Sequence, residues 1–367
     1  MNDRAPKSDK APLALKRIAD RLYKRGIAFL DSAKLEPAKE YLEKALEAYS
    51  SDPDSPGAAL CYLKLGRAVE LVGEYDRAQK TYQQSLDLHI RLKDTLGIAR
   101  CEAFLANVAW AKGDYPNASR LMGEALSHFK AAGDLPGQTW LTDMLGNLNL
   151  AQGNHQEAER LHRAAYCLAL QTEDTPLGRA WNDYHLAAVD LFRGQRDAAR
   201  AGFISALGIF TRLRDVLGVV ATCTHLCEIA CEQKNFVAAE KYILRSLRLV
   251  IPTRCKPLLV DAMTSLARLL MGRGQNDKAL GMLMFVLSHP TCRQQTKDEM
   301  VSLAKAMEAH FSSKEMESGF NWAKHFTLEE MATAWVKTLS TNPAPKGPRT
   351  ARRRMPLKPK ARKKPRP

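Results

Sequence analysis

Few residues in this 367-residue chain have types and spacings suited to chemistry. Cys223, Cys227 and Cys231 recur every fourth residue with His225 between them, which places them on one face of a helix. A closed zinc site needs four converging ligands, usually from a loop and a second element. One helix face does not supply them, so these thiols are expected in a core or groove lining, and no metal or cofactor is expected. The nine histidines form no His-Glu-x-x-His pattern, and no glycine-rich phosphate loop follows a strand-like run. Glu329 and Glu330 fall on a solvated helical face, and Gly272-Arg-Gly274 is a helix break. No constellation of nucleophile, base and stabilising donor is present, so the chain is not expected to be an enzyme.

Charge is the second chemical feature. The net charge is +15, and residues 341–367 supply +11 of it, leaving +4 for the rest. The tail clusters Arg352, Arg353 and Arg354, then Lys358, Lys360, Arg362, Lys363 and Lys364, among seven prolines. It has almost no apolar surface to bury, so it is expected to be disordered. The clusters resemble nuclear-import signals recognised by an import receptor. They are equally suited to sequence-independent contact with nucleic acid or another acidic surface, or to keeping the chain soluble. No aromatic residue interleaves them, so base stacking is not expected. Arg353-x-x-Pro356-x-x-Pro359 also fits an SH3-domain ligand pattern.

The body of the chain is set by a period. Gly73-Glu-Tyr-Asp-Arg-Ala78 returns at Gly113, Gly153, Gly194, Lys234 and Gly274, in steps of 40, 40, 41, 40 and 40 residues. Apolar residues at Tyr62, Leu65 and Val69, then Ala78, Tyr82 and Leu86, keep helical spacing on either side of Gly73, giving helix, turn, helix. A second punctuation, Asp-x-x-Gly, follows each second helix at Asp54, Asp94, Asp134 and Asp215, with Asp174 and Gly178 carrying the extra residue. It is expected to make the turn between repeats. Two columns of small residues run through the repeats, Gly66, Ala106, Gly146, Ala187, Cys227 and Ala267, and Ala78, Ala118, Ala158, Ala199, Ala239 and Ala279. Such columns let paired helices approach closely, and stacking the pairs buries the larger side chains between them. After residue 232 the pattern weakens: Lys234 replaces Gly, and Ile251–Pro257 replaces Asp-x-x-Gly. Eight of the twelve methionines lie between Met263 and Met331, which predicts a softer C-terminal part.

A small residue at position 8, Gly at 15 and Ala at 20 and 27 of a two-helix unit resemble the tetratricopeptide repeat over about residues 19–338. The unit is longer than usual and is similar to the repeats of Pins-type and rapsyn-type adaptors. The resemblance implies an all-α, right-handed superhelical solenoid of antiparallel helix pairs. Residues 1–12 are then a disordered lead-in, 13–340 the repeat domain and 341–367 the tail. The repeats fall near 19–58, 59–98, 99–138, 139–179, 180–219, 220–259 and 260–299. A degenerate unit, 300–340, carries Leu303, Ala306, Gly319, Ala323 and Phe326. A capping helix through Met331, Trp335 and Leu339 completes it.

The resemblance also puts the first helix of each pair on the concave face. That assigns Leu60, Leu63, Arg67 and Glu70 to the groove, with Arg100, Ala103, Asn107 and Trp110 from the next repeat. Trp140, Asp143, Asn147 and Leu150 follow, then Trp181, Tyr184 and Leu191. Asn107 and Asn147 share a repeat position and can hold a partner's backbone, since an amide both donates and accepts. Trp140 and Trp181 also share one, and are read either as groove anchors or as packing across helices. The expected function is an adaptor that binds a segment of a partner protein in the groove. The alternative is a nuclear or ribonucleoprotein factor whose tail binds nucleic acid, and a third reading is a sensor that compacts around a peptide or small ligand. Apolar runs are too short to cross a membrane. The polar start, Met1-Asn-Asp-Arg, and eight cysteines predict a reducing compartment, cytoplasmic with a nuclear alternative.

Overall fold

Helix after helix, each about four to five turns long, runs antiparallel to the one before it in the computed structural model. The model describes residues 10–171, 175–308 and 326–341. The helices are α1 (Lys10–Asp31), α2 (Leu35–Ala48), α3 (Pro56–Val72), α4 (Tyr75–Arg91), α5 (Thr95–Ala111), α6 (Tyr115–Ala131), α7 (Leu135–Ala151) and α8 (His155–Ala169). They continue as α9 (Pro176–Phe192), α10 (Arg196–Leu213), α11 (Val216–Glu232), α12 (Phe236–Val250), α13 (Lys256–Gly272), α14 (Asn276–Ser288), α15 (Gln294–Glu308) and α16 (Leu328–Thr341). The described residues contain no strand. The fold is a helical-repeat solenoid.

The periodic glycines close the first helix of each pair. Gly73 has φ +91°, and its N–H donates to the Glu70 carbonyl while the Glu74 N–H reaches back to Val69 at 3.1 Å. That pair of bonds satisfies carbonyls the helix end would leave bare. Gly113, Gly153, Gly194 and Gly274 repeat the conformation, and Ala33 and Lys234 adopt it with φ +54°. The turn therefore survives where the glycine is lost.

Asp-x-x-Gly does not turn the chain. In two of the copies the aspartate caps the next helix: the Asp94 carboxylate accepts the Gly97 N–H at 3.0 Å, and Asp134 accepts that of Gly137 at 3.3 Å, while Ser55 and Thr175 take this place before α3 and α9. The glycine lies inside the first helical turn because a ring from the preceding helix is laid flat against it. A Cβ on Gly97 would meet His89 at 2.0 Å, one on Gly137 would meet Phe129 at 2.4 Å, and one on Gly218 would meet Phe210 at 2.3 Å. The reversal is made just before the aspartate, by Lys93 (φ +56°), Gly133 (φ +66°) and Arg214 (φ +57°).

Both small-residue columns are buried throughout. At Gly66 a Cβ would lie 2.6 Å from the Tyr82 ring, so the paired helix packs directly on backbone. The methionine-rich part is not loosely packed. Met263, Met282, Met300 and Met331 are buried in the largest apolar cluster of the described residues, which spans α11 to α16. Leu35 and Val72, from α2 and α3, belong to the same cluster. The solenoid thus coils far enough for its beginning to meet its end, with α3 against α13 and α5 against α15. Helix α16 folds back onto α12 and α13, burying Leu328, Met331, Ala332 and Leu339. Leu303 lies in α15 and Phe326 precedes α16, whereas Gly319 and Ala323 of the degenerate unit, and residues 1–9, lie outside the described residues.

Candidate functional site

The first helices of successive pairs approach one another, α3 with α5, α9 with α11 and α11 with α13. They therefore line the inside of the coil. Because α13 and α15 close against α3 and α5, this inner face becomes a channel. Arg67 and Arg293 keep side-chain exposures of 28% and 42%.

The N-terminal end of the channel carries a network centred on Glu70. Its carboxylate accepts from Arg67 Nη1 at 2.9 Å, from the Tyr82 hydroxyl at 2.6 Å and from the Asn107 side-chain amide. Burial, with Glu70 beside it, pushes the Tyr82 phenol well above its usual range. Tyr82 comes from the second helix and reaches the inner face only because Gly66 lets its ring pass. The Phe104 ring stacks on Tyr82 at 5.3 Å, Arg67 lies 5.7 Å above Phe104, and Trp140 follows at 5.3 Å, 36% exposed.

One repeat pair further on, the same construction returns with histidine. His162, from the second helix α8, passes Gly146, where a Cβ would meet the ring at 2.7 Å. Its Nδ1 lies 3.0 Å from Asp143 Oδ1, while His185 Nε2 lies 3.0 Å from Asp143 Oδ2. Asn147 donates weakly to the same carboxylate at 3.4 Å. Burial brings the His185 imidazole down to about 4. Asp143, His162 and His185 are the group of described residues placed to hold a metal ion.

Beyond them, Tyr184 sits edge-on to Trp181 and Phe203 and shares a hydrogen bond of 3.1 Å with His225 Nε2. Trp181 packs edge-on against Phe210 at 4.8 Å and bonds Asp215, a packing role, whereas Trp140 keeps an open face. The far wall pairs Arg268 with Glu228 and Glu299, and Arg293 with Asp261. Among the residues assigned to the groove, Arg67 and Asn107 bond Glu70, Asn147 bonds Asp143, Tyr184 bonds His225, and Trp140 packs on Phe104. Arg100 is exposed, and Trp110 packs on the α5–α7 cluster. Cys223 and Cys227 are buried, and the hydrogen bond to Cys231, with burial, pushes the Cys227 thiol up. Arg352, Arg353, Arg354, Lys358, Lys360, Arg362, Lys363 and Lys364 lie outside the described residues.

Phe104, His162 and His185 are not marked by the sequence patterns, Tyr82 is marked only as an apolar helix position, and His225 only by its place among the cysteines. A usable signal existed in one case. Leu42, Tyr82, Met122, His162, Phe203, Ile243 and Leu283 occupy one repeat position, and the only imidazole in that column stands opposite a glycine. Elsewhere a cleft of about 590 Å3 between α10, α11 and α12 combines an apolar floor of Val216, Val219 and Leu244 with Arg214, Lys241, Arg245 and Arg248.

Two stretches, residues 18–91 and 98–170, match a family model described as tetratricopeptide repeat. These stretches are tetratricopeptide repeats. Solved structures extend the tetratricopeptide-repeat fold further along the chain. The Rap conjugation gene regulator of plasmid pLS20 in complex with the Phr* peptide is 17% identical, with 85% of this chain and 82% of that one covered and a TM-score of 0.63. A Rap protein complexed with competence and sporulation factor is 15% identical over 92% and 88% of the two chains, TM-score 0.60. The apo form of RapI is 16% identical over 64% and 84%, TM-score 0.54. At these identities the likeness is one of fold. No curated protein is significantly similar in sequence.

Proposed function

We propose that this tetratricopeptide-repeat chain is a non-catalytic adaptor whose inner channel takes an extended peptide segment of a partner. The observation that carries this reading is the line of Phe104, Trp140 and Tyr184 along the inner face, with Asn107 and Asn147 at equivalent positions beside them. Trp140, 36% exposed, offers a ring face as contact area at small entropic cost, Phe104 and Tyr184 back it in the wall, and amides hold a backbone whatever its side chains are. The two Rap structures of like fold are complexes with a peptide and with a named factor, which supports peptide capture in such a coil. Among the described residues no helix is long and apolar enough to cross a membrane.

The +11 tail adds an electrostatic contact or a localisation signal. Removing residues 342–367 separates the readings: an adaptor keeps its peptide, while a nucleic-acid factor loses salt-sensitive binding to an unrelated duplex.

Panning a random-peptide display library on the full chain supplies a probe. Asn147→Ala with Trp140→Ala should weaken the selected peptide at least ~10-fold, about 1.4 kcal/mol, without a lower melting temperature. Unchanged affinity sinks the proposal.

A further inference from the structure

We propose that Asp143, His162 and His185 form a binding site for a divalent transition ion of the zinc type. The three side chains come from successive helices α7, α8 and α9. Their ligating atoms, a carboxylate oxygen, Nδ1 of His162 and Nε2 of His185, lie within 4.8 Å of one another. His162 Nδ1 lies 3.0 Å from Asp143 Oδ1 and His185 Nε2 3.0 Å from Oδ2, each spacing near the edge of a tetrahedral shell with bonds of ~2.0–2.1 Å, so the carboxylate can offer either oxygen. Two imidazoles and one carboxylate suit zinc, cobalt or nickel; calcium and magnesium prefer oxygen alone.

The site is built rather than incidental. Gly146 vacates the space that the His162 ring fills, and the two rings stack at 5.5 Å, 10° from parallel. Each ring turns one nitrogen to Asp143. The other nitrogens, His162 Nε2 and His185 Nδ1, are buried without a partner among the described residues. Neither ring is therefore held to one tautomer by a second hydrogen bond. In the ion-free state each ring donates an N–H to the carboxylate. With an ion bound, the lone pairs of His162 Nδ1 and His185 Nε2 point at it and the ring protons reside on the opposite nitrogens, so neutral imidazoles release no net proton. His162 is sealed, while Asp143 and His185 keep 15% and 13% side-chain exposure. Access is therefore from the channel, and water completes the coordination.

The test uses the full chain stripped with a chelator and titrated with zinc against a chromophoric competitor. One zinc per chain is expected. Asp143→Asn and His185→Gln should each weaken it by more than the ~10–100-fold that loss of an outer-shell partner costs, and Cys231→Ser should leave it unchanged. Where a variant fails to fold by circular dichroism, X-ray absorption of the zinc-loaded wild type decides the matter: nitrogen and oxygen ligands without sulfur support the site. No uptake by the wild type, wild-type affinity in the folded variants, or sulfur ligation each overturns it.

Discussion

The Tyr75 hydroxyl donates to the Thr291 carbonyl at 3.3 Å across 216 residues of chain. This bond closes the coil, because Tyr75 starts α4 near its beginning and Thr291 sits between α14 and α15 near its end. Thr291 is buried, and its methyl group packs against the backbone of Gly73. A bulky residue there has no room. Thr291→Trp should prise the contact open, raising the radius of gyration in small-angle scattering with helicity unchanged, and overpacking should cost about 1–3 kcal/mol. An unchanged radius would show that closure is held elsewhere.

Tyr82 holds Glu70 in the channel wall at 2.6 Å. Tyr82→Phe keeps the ring but strips a buried carboxylate of one donor, for which a loss of about 1–3 kcal/mol in urea unfolding is expected. A change under a few tenths of that would mean water replaces the hydroxyl.

Two glycines should respond to alanine with opposite signs. A Cβ added at Gly97 would meet the His89 ring at 2.0 Å, whereas nothing lies within 4 Å of one at Gly123 in the middle of α6. Gly97→Ala should destabilise by roughly 1–3 kcal/mol through overpacking. Gly123→Ala should stabilise by about 0.5–1 kcal/mol through lost unfolded-state entropy. Equal effects would refute the ring-seat explanation of Asp-x-x-Gly.

His89 makes a pH prediction. Burial lowers its pKa below 6.5, against the opposing pull of Asp94 at 2.9 Å, with Arg100 adding to the lowering. The folded state therefore binds this proton less readily than the unfolded chain. Stability is complete above the unfolded value of about 6.5 and falls as pH drops below it. His89→Phe, which copies the Phe129 of the next repeat, should lose less stability between pH 7.5 and 5.5 than the wild type in paired urea titrations. Parallel profiles would contradict the assignment.

The register of the solenoid is legible from sequence because each glycine step marks a left-handed residue that the helix end requires. Asp-x-x-Gly misleads because a glycine that seats His89 or Phe129 looks, in sequence, like one that turns the chain. The channel's polar networks are less legible still. Asp143, His162 and His185 are 19 and 23 residues apart, and only the stacking of three helices brings them together. Likewise Trp140 and Trp181 share a repeat position, yet Phe210 and Asp215 occupy one and leave the other open. Coil closure has no local signal, since Tyr75 and Thr291 meet only after the repeats have accumulated their curvature.

The central claim is that a partner segment lies inside the coil, and photo-crosslinking tests it most directly. A panned peptide carrying benzoylphenylalanine, irradiated with the full chain and mapped by mass spectrometry, should attach to the inner helices α5, α7 and α9. Attachment confined to the outer helices α6, α8 and α10 would contradict the account.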